Sequence, residues 1–193
     1  MKWLTGRGWA AALAVGSATI YGLGWRGMVL LLAFFVSANL WSRTPKGAEG
    51  PRNARQVIAN GGVAALAALA GSWIWFAAAL ATANADTWAT EIGARSSATP
   101  RLITNGTRVP AGTDGGMTLL GTAGGTAGAG FIAGLSLVLT GRGALLIALA
   151  GVFGMLLDSL LGATVQGKVR WMDNDAVNFA ATLAGAACAG LLA

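Results

Sequence analysis

Four carboxylic acids lie within or at the ends of very apolar stretches of this chain: Asp86, Glu91, Asp158 and Asp175. A charged side chain inside a bilayer is costly, and such residues are usually retained for a function. Mg²⁺, bound through one or two carboxylates together with substrate phosphates, would make use of acids in this setting. The acids therefore indicate a functional polar site in an otherwise apolar protein.

The densest polar stretch within an apolar segment covers residues 84–91 and contains Asp86, Thr87 and Glu91. On a regular helix Asp86 and Glu91 point about 140° apart, so they cannot bind one ion together unless the helix breaks. The structural alternative is a helix end whose polar residues face water. Asp86 lies too deep in the apolar segment for that explanation.

Two further polar stretches contain the other acids. Asp158 and Ser159 begin one that continues to Gln166, where a buried Asp bonded to a neighbouring helix is the structural alternative. The other is Asp173-Asn174-Asp175 at the start of the last apolar segment, and helix capping alone would account for acids there. Asn178 continues the Asp175 face toward the membrane, which capping does not explain.

Glycine and basic residues precede the fifth apolar segment, in a polar loop. Backbone N–H groups at a helix start, with arginine nearby, can hold an anion. A cap formed by Thr113, or simple retention of basic residues on one side of a membrane, would also explain this pattern. The candidate anion contacts are Arg101, Arg108, Thr113, Gly115 and Gly116, with a second phosphate or headgroup contact formed by Arg52, Arg55 and Asn60.

Composition places the chain in a membrane. Of its 193 residues 55% are apolar and only 10% are charged, whereas soluble domains carry about 25% charged residues. There is no His and a single Cys, which excludes an intrachain disulfide and a Cys metal cluster. No phosphate-binding P-loop or dinucleotide fingerprint occurs. The net charge of +6 follows the predicted topology, so no nucleic-acid partner is expected.

The apolar segments predict an all-α protein, a polytopic transmembrane helical bundle of about six or seven spans in a single integral membrane domain, 1–193. The first two segments could form a tight hairpin. Glycines between positions 121 and 134 predict close helix packing. The segments are 9–23, 28–41, 56–70, 73–89, 116–139, 145–162 and 176–192.

The 13 Lys and Arg residues orient the helices. With the N-terminus in the cytoplasm and alternating spans, only Arg26 and Arg142 fall on the outer side. The same topology puts Asp86 and Asp158 at a similar depth, about 21 Å from the outer face. The sequence therefore predicts a polar site that opens toward the cytoplasm.

Several ordered motifs resemble those of the membrane family once catalogued as domain of unknown function 92, which includes the plant phytyl-phosphate kinase. The resemblance is best between about Arg55 and Asn178. It implies an isoprenyl-phosphate kinase that makes a lipid diphosphate from the monophosphate with a nucleoside triphosphate, CTP being the expected donor, and Mg²⁺. The motifs are NADTWATEIG at 84–93, PRLIT at 100–104, VPAGT at 109–113 followed by Gly115-Gly116, DSLLGATVQ at 158–166, and Asp173-Asn174 with Asn178.

With this resemblance, each candidate residue receives an expected role. Asp86, Asp158 and Glu91 are the catalytic acids, and Asp86 and Asp158 bind Mg²⁺ with Glu91 and Asp175 as further ligands or neighbours. Arg101 and Arg108 hold the nucleotide phosphates and Arg55 holds the lipid phosphate. The other expected substrate contacts are Asn60, Thr87, Thr113, Gly115, Gly116, Ser159, Gln166, Asn174 and Asn178.

The expected partners are the lipid membrane, a prenyl monophosphate and a nucleoside triphosphate, at a bacterial cytoplasmic membrane; a homo-oligomer is left open. Two other functions fit the same residues. A cytidylyltransferase would form a CDP-lipid and release pyrophosphate. A lipid or anion transporter would use discontinuous helices, although no internal repeat is apparent. A passive structural protein would leave the acids unexplained.

Overall fold

The computed structural model describes residues 3–41 and 50–193, so three residues of the predicted cytoplasmic set, Lys2, Arg43 and Lys46, lie outside the described part. The described residues form six helices and one pair of two-residue strands, which confirms the all-α class. The elements are α1 Gly6–Trp41, α2 Ala54–Leu69, α3 Trp73–Gly93, β1 Arg101–Leu102, β2 Gly116–Met117, α4 Leu119–Thr140, α5 Ala144–Thr164 and α6 Asn174–Leu192.

The first helix reverses direction near its middle. Gly24 has φ 64° and ψ −157°, a conformation that breaks a helix and that glycine adopts without steric cost. The two arms of α1 pack antiparallel. The evidence is that the rings of Trp3, just before the first arm, and Phe35, on the second arm, are 5.6 Å apart. A straight helical chain would separate these two residues by about 48 Å. The tight hairpin predicted for the first two apolar segments is therefore confirmed.

The helices alternate in direction, so their connections gather at two ends of the bundle. At one end the Arg95 side chain donates to the carbonyl oxygen of Trp41 at 3.1 Å, joining the ends of α3 and α1. At the other end Gly143 contacts Ile74, which joins the α4–α5 connection to the start of α3. Arg26 and Arg142 lie at this second end, as the topology requires. Which end faces the cytoplasm stays a prediction.

Four helices are long and apolar enough to cross a membrane among the residues described: α1, α4, α5 and α6. The prediction of six or seven spans is therefore met only in part. α3 has 21 residues, long enough at about 1.5 Å per residue to cross a bilayer core of about 30 Å. Its polar C-terminal half lowers its hydropathy.

α3 lies at the centre of the bundle. All ten residues from Phe76 to Ala85 are buried, as expected for a helix that is surrounded on every side. Glycines let the neighbouring helices approach its backbone. A Cβ atom on Gly125 of α4 would lie 2.8 Å from the carbonyl oxygen of Ala85, and one on Gly121 would lie 2.8 Å from that of Ala89. The predicted role in helix packing is confirmed for Gly121, Gly124, Gly125 and Gly128, whereas Gly130 and Gly134 lie on an open face of α4 with nothing within 4 Å of their Cβ positions.

We predict that Gly125→Ala destabilises the protein by about 1–3 kcal/mol, because the added methyl group meets the Ala85 carbonyl and the Met155 sulfur. Gly134→Ala is the matched control on the same helix, since nothing lies within 4 Å of its Cβ position. Alanine is the better helix former, so the control should be neutral or stabilising. Unfolding by SDS in mixed micelles, followed by circular dichroism, measures both variants. Equal midpoints would contradict the close packing.

Candidate active site

Asp86 and Asp158 line one cavity of about 260 Å³ at the end of the bundle that holds the loop between α3 and α4. Asp86 precedes the end of α3 by seven residues and Asp158 precedes the end of α5 by six, so each lies about 10 Å inside the bundle. The similar depth predicted for these two acids is what lets them share a cavity. The cavity is walled by α3, α4, α5, the α3–α4 loop and the first residue of α6.

A third acid, Asp114 in the α3–α4 loop, also lines the cavity. Asp158 is close enough to both Asp86 and Asp114 to feel their charges. Asp158 Oδ2 is buried and has no hydrogen-bond partner in the described residues. A buried acceptor left unpaired costs about 1–3 kcal/mol, and more when it is charged. Mutual repulsion and the unpaired oxygen make this end of the cavity attractive to a cation.

The other wall of the cavity suits an anion. This wall is lined by Gly116 of β2, by Thr118, and by Gly121 and Thr122 in the first turn of α4. Thr118 is the N-cap, and its side chain accepts a hydrogen bond from the Gly121 N–H at 3.0 Å. The N-terminal end of a helix carries a partial positive charge and attracts phosphate groups. The cavity thus offers carboxylates to a cation and a helix start to a phosphate.

The α3–α4 loop reaches the cavity by resting on α5. β1 and β2 form a short antiparallel ladder that pairs Arg101 with Met117. Gly115 has φ +72°, and a Cβ atom there would lie 2.6 Å from the Ser159 carbonyl oxygen. Position 115 therefore needs glycine both for its backbone conformation and for its contact with α5. This contact places the neighbouring Asp114 over the cavity.

Eight of the predicted site residues line this cavity, and the others do not. Thr87 donates its hydroxyl to the Ala83 carbonyl within α3, and Glu91 is partly buried near the end of that helix. Asn60 lines a second cavity, whereas Asn178 lines neither. The eight that line the first cavity are Asp86, Thr113, Gly115, Gly116, Asp158, Ser159, Gln166 and Asn174.

The predicted basic contacts lie outside the cavity lining. Arg101 and Arg108 are exposed, and their backbones form an isolated antiparallel β-bridge. Arg55 bonds Asp173 and lies 3.5 Å from the Asp175 carboxylate, so it joins α2 to the start of α6. Within residues 3–41 and 50–193, no three acids or other metal-binding side chains are placed to hold an ion by themselves. The structure does not assemble the predicted set of Asp86, Glu91, Asp158 and Asp175.

Sequence reasoning did not include Asp114, Thr90, Thr118 or Thr122 among the site residues, although all four line the cavity. Thr90 follows Asp86 by four residues, so helical periodicity already placed the two on one face. Asp114 immediately precedes the Gly115-Gly116 pair, but its position depends on how the loop rests on α5. No local signal in the sequence gives that contact.

A family model described as integral membrane protein DUF92 matches residues 1–186. The chain belongs to this family. The protein "Uncharacterized membrane protein sll0875" of Synechocystis sp. is 33% identical over 216 residues, covering 97% of this chain and 82% of the relative. "Uncharacterized membrane protein MJ0933" of Methanocaldococcus jannaschii is 34% identical over 186 residues, covering 89% and 78%. "Protein VTE6, chloroplastic" of Arabidopsis thaliana is 30% identical over 202 residues, covering 91% and 61%. No solved structure matches the chain.

We predict that Gly115→Ala loosens the α3–α4 loop, because the methyl group meets Ser159 and Ala163 of α5 and the backbone conformation is strained. Gly106→Ala is the control. Gly106 has φ +71° and nothing within 4 Å of its Cβ position, so this substitution introduces the backbone strain without a steric clash. Limited proteolysis at Arg101 and Arg108 should be faster in Gly115→Ala than in the control. Equal rates would show that the contact with α5 does not hold the loop.

The ion pair between α2 and α6 predicts that the stability of the folded protein depends on pH. The hydrogen bond from the Ala176 N–H, followed by that from Arg55, lowers the pKa of Asp173 below its ordinary value. The ionised form therefore stabilises the folded protein above about pH 4, and this contribution disappears as the pH falls through the lowered pKa. Asp173→Asn keeps a good N-cap but cannot titrate. We expect acidification from about pH 6 to about pH 3 to reduce the melting temperature of Asp173→Asn less than that of the parent protein, and equal reductions would contradict the pairing.

Proposed function

We propose that this protein is a membrane isoprenyl-phosphate kinase, which transfers the γ-phosphate of a nucleoside triphosphate to a prenyl monophosphate and forms the diphosphate. CTP is the proposed donor. The observation that carries the proposal is the meeting of Asp86, Asp114 and Asp158 with the start of α4 in one cavity. Acids that bind a cation and a helix start that binds phosphate are the two parts that phosphoryl transfer requires.

Family membership supports the same reaction. The resemblance to the family that includes the plant phytyl-phosphate kinase covers segments that line the cavity, at residues 84–93, 109–116 and 158–166. The Arabidopsis relative named VTE6 matches 91% of this chain. Residues that line the cavity therefore lie within the motifs that carry the resemblance.

The proposed reaction needs no general base. A phosphate monoester has a second pKa near 6, so the lipid phosphate is mostly a dianion at neutral pH. One of its oxygens bonds to the γ-phosphorus, while the bond from that phosphorus to the β–γ bridging oxygen breaks and nucleoside diphosphate leaves. No proton has to be removed from the nucleophile. A chain without histidine is suited to this chemistry.

The donor set fits Mg²⁺, which when bound neutralises charge on the transferred phosphate. Asp86 and Asp158 would hold the ion, and Asp158 Oδ2, which is buried without a hydrogen-bond partner among the described residues, has lone pairs available to bind it. Mg²⁺ needs only one or two protein carboxylates, because substrate phosphates and waters complete its octahedron. The lack of a three-acid cage in the described residues is compatible with this mode of binding.

The remaining residues hold the substrates in place. Gly115, Gly116 and the start of α4 would receive the triphosphate, with Arg101 and Arg108 on the loop beyond them. The excess of basic residues at this end of the bundle favours a cytoplasmic orientation, where nucleotides are available. We therefore propose a bacterial cytoplasmic membrane protein whose active site faces the cytoplasm.

We predict that Asp86→Asn and Asp158→Asn each lower kcat/KM by about 100-fold or more, as expected when a charge that stabilises the transition state is removed. Asp173→Asn is the matched control, since Asp173 is exposed and does not line the cavity. The assay uses purified protein, Mg²⁺, γ-labelled CTP or ATP, and geranylgeranyl or phytyl monophosphate. Melting temperatures of all three variants show whether they are folded.

The labelled product decides the reaction. Label in a lipid diphosphate, lost in both cavity variants and kept in the control, is the expected result. Release of labelled pyrophosphate without labelled lipid would reject the kinase reaction and support nucleotidyl transfer. If neither product forms, or if both variants retain full activity, the proposed function is wrong.

A further inference from the structure

A second cavity, of about 340 Å³, lies between the two arms of α1 and the first half of α2. Its walls are mostly large apolar side chains, including Leu13, Ile20, Met28 and Phe35. Polar side chains are few, and Arg52, Gln56 and Asn60 are all contributed by the start of α2 or the residues before it. We call this cavity the hairpin groove. Its lining is mostly apolar, with Ser17 as the polar residue of the first arm and the Arg52 side chain at the end where α2 begins.

The hairpin groove has the length of one leaflet. Its lining runs from Trp9 to Ile20 on the first arm, about 17 Å along the helix, compared with about 15 Å for half of the hydrocarbon core. Leu13 and Leu32 on its rim are 67% and 51% exposed. In a bilayer such side chains meet lipid chains, so the groove is open sideways to the membrane.

Arg52 connects the hairpin groove to the candidate active site. Its side chain lines the groove, and it lies near enough to Asp86 of the first cavity for the two side chains to interact electrostatically. Its backbone is fixed by hydrogen bonds with Trp3 and Thr5, at 3.0 and 3.1 Å. An anionic group at the polar end of the groove would therefore lie next to the acidic cavity.

We propose that the hairpin groove holds the hydrocarbon tail of the prenyl monophosphate, with its phosphate at Arg52 and facing Asp86. This inference rests on the proposed function for the identity of the lipid. The volume is at the low end of the range for ligand pockets, about 300–1,000 Å³, and favours one chain over two. A terminal phosphate, with no larger headgroup beyond it, leaves its oxygens accessible from the neighbouring cavity.

Gly16→Leu tests the groove. Gly16 lines it, and the nearest atom to its Cβ position is the flexible end of Met28 at 3.6 Å, so the first carbon fits and the rest enters the groove. We expect KM for geranylgeranyl monophosphate to rise about 10-fold, while KM for isopentenyl monophosphate and for CTP is unchanged, since a short chain ends before position 16. Gly134→Leu makes the same change on an open face of α4 and should alter none of them.

Arg52→Gln tests the phosphate end. The backbone hydrogen bonds of Arg52 do not need its side chain, so the variant should fold. We expect KM to rise for prenyl monophosphates of every chain length. Arg142→Gln, which removes the same charge at the opposite end of the bundle, should leave KM unchanged. Unchanged KM in both Gly16→Leu and Arg52→Gln, with turnover intact, would show that the hairpin groove is not the lipid site. The proposed kinase activity would still stand.

A binding experiment separates the two proposals. Geranylgeranyl monophosphate with a diazirine at the chain end is irradiated with the full-length protein in the absence of nucleotide. Label is expected at the end of the groove farthest from Arg52, at Ser17, Ile20 and Met28, and Gly16→Leu should abolish it. Groove labelling without turnover would support the groove and reject the kinase. Label elsewhere, or displacement by a diacyl phospholipid as readily as by the unlabelled monophosphate, would overturn the groove as the tail site.

Discussion

The close approach of three helices to the backbone of α3 is the constraint on which the rest of the structure depends. Gly128 of α4 packs on Trp88 and on the Asn84 carbonyl, and Gly154 and Gly185 bring α5 and α6 against Thr82. In lipid there is no hydrophobic force between apolar helices, so association relies on van der Waals packing and hydrogen bonds. Small residues provide that packing. The resulting short distances between helices are what allow acids on α3 and α5 to share one cavity.

A buried amide fixes the remaining side of α3. The Asn84 side chain donates to the Gly128 carbonyl oxygen and accepts from the Ser37 hydroxyl, both at 2.9 Å. These bonds tie α3 to α4 and to the second arm of α1. That arm forms one wall of the hairpin groove, while α3 carries Asp86. The Asn84 contacts therefore hold the groove and the acidic cavity in a fixed relation, and the cost of burying an amide is offset by its hydrogen bonds.

The polar groups that join helices differ from Asp158 in their hydrogen bonding. Asn84 is hydrogen-bonded on both its nitrogen and its oxygen, and Arg55 is paired with two acids of α6. Asp158, by contrast, keeps a buried oxygen without a partner among the described residues. Buried polar atoms are nearly always satisfied in folded proteins, and exceptions often mark a functional site. Asp158 combines an unpaired oxygen with a place in the cavity lining, so it is available to a ligand, whereas Asn84 and Arg55 hold helices together.

Much of the fold and part of the site could be predicted from sequence. Apolar segments, helix starts and the distribution of charge depend on residues close together in the chain, and so does the depth of Asp86 and Asp158 within their helices. The hairpin at Gly24 falls in the short break between the first two apolar segments, 9–23 and 28–41, which is visible in the sequence. These features are local, and the sequence by itself determined them. The family motifs added the expected chemistry.

Only the tertiary structure decided which polar residues meet. Asp114 joins Asp86 and Asp158 because Gly115 rests on α5, whereas Asp175 pairs with Arg55 of α2. Both outcomes depend on the rotation of each helix about its axis and on where a loop comes to rest. Contacts between distant segments set these, through packing that no single stretch of sequence contains. The sequence thus determined the kinds of residue and their depth, and packing decided their partners.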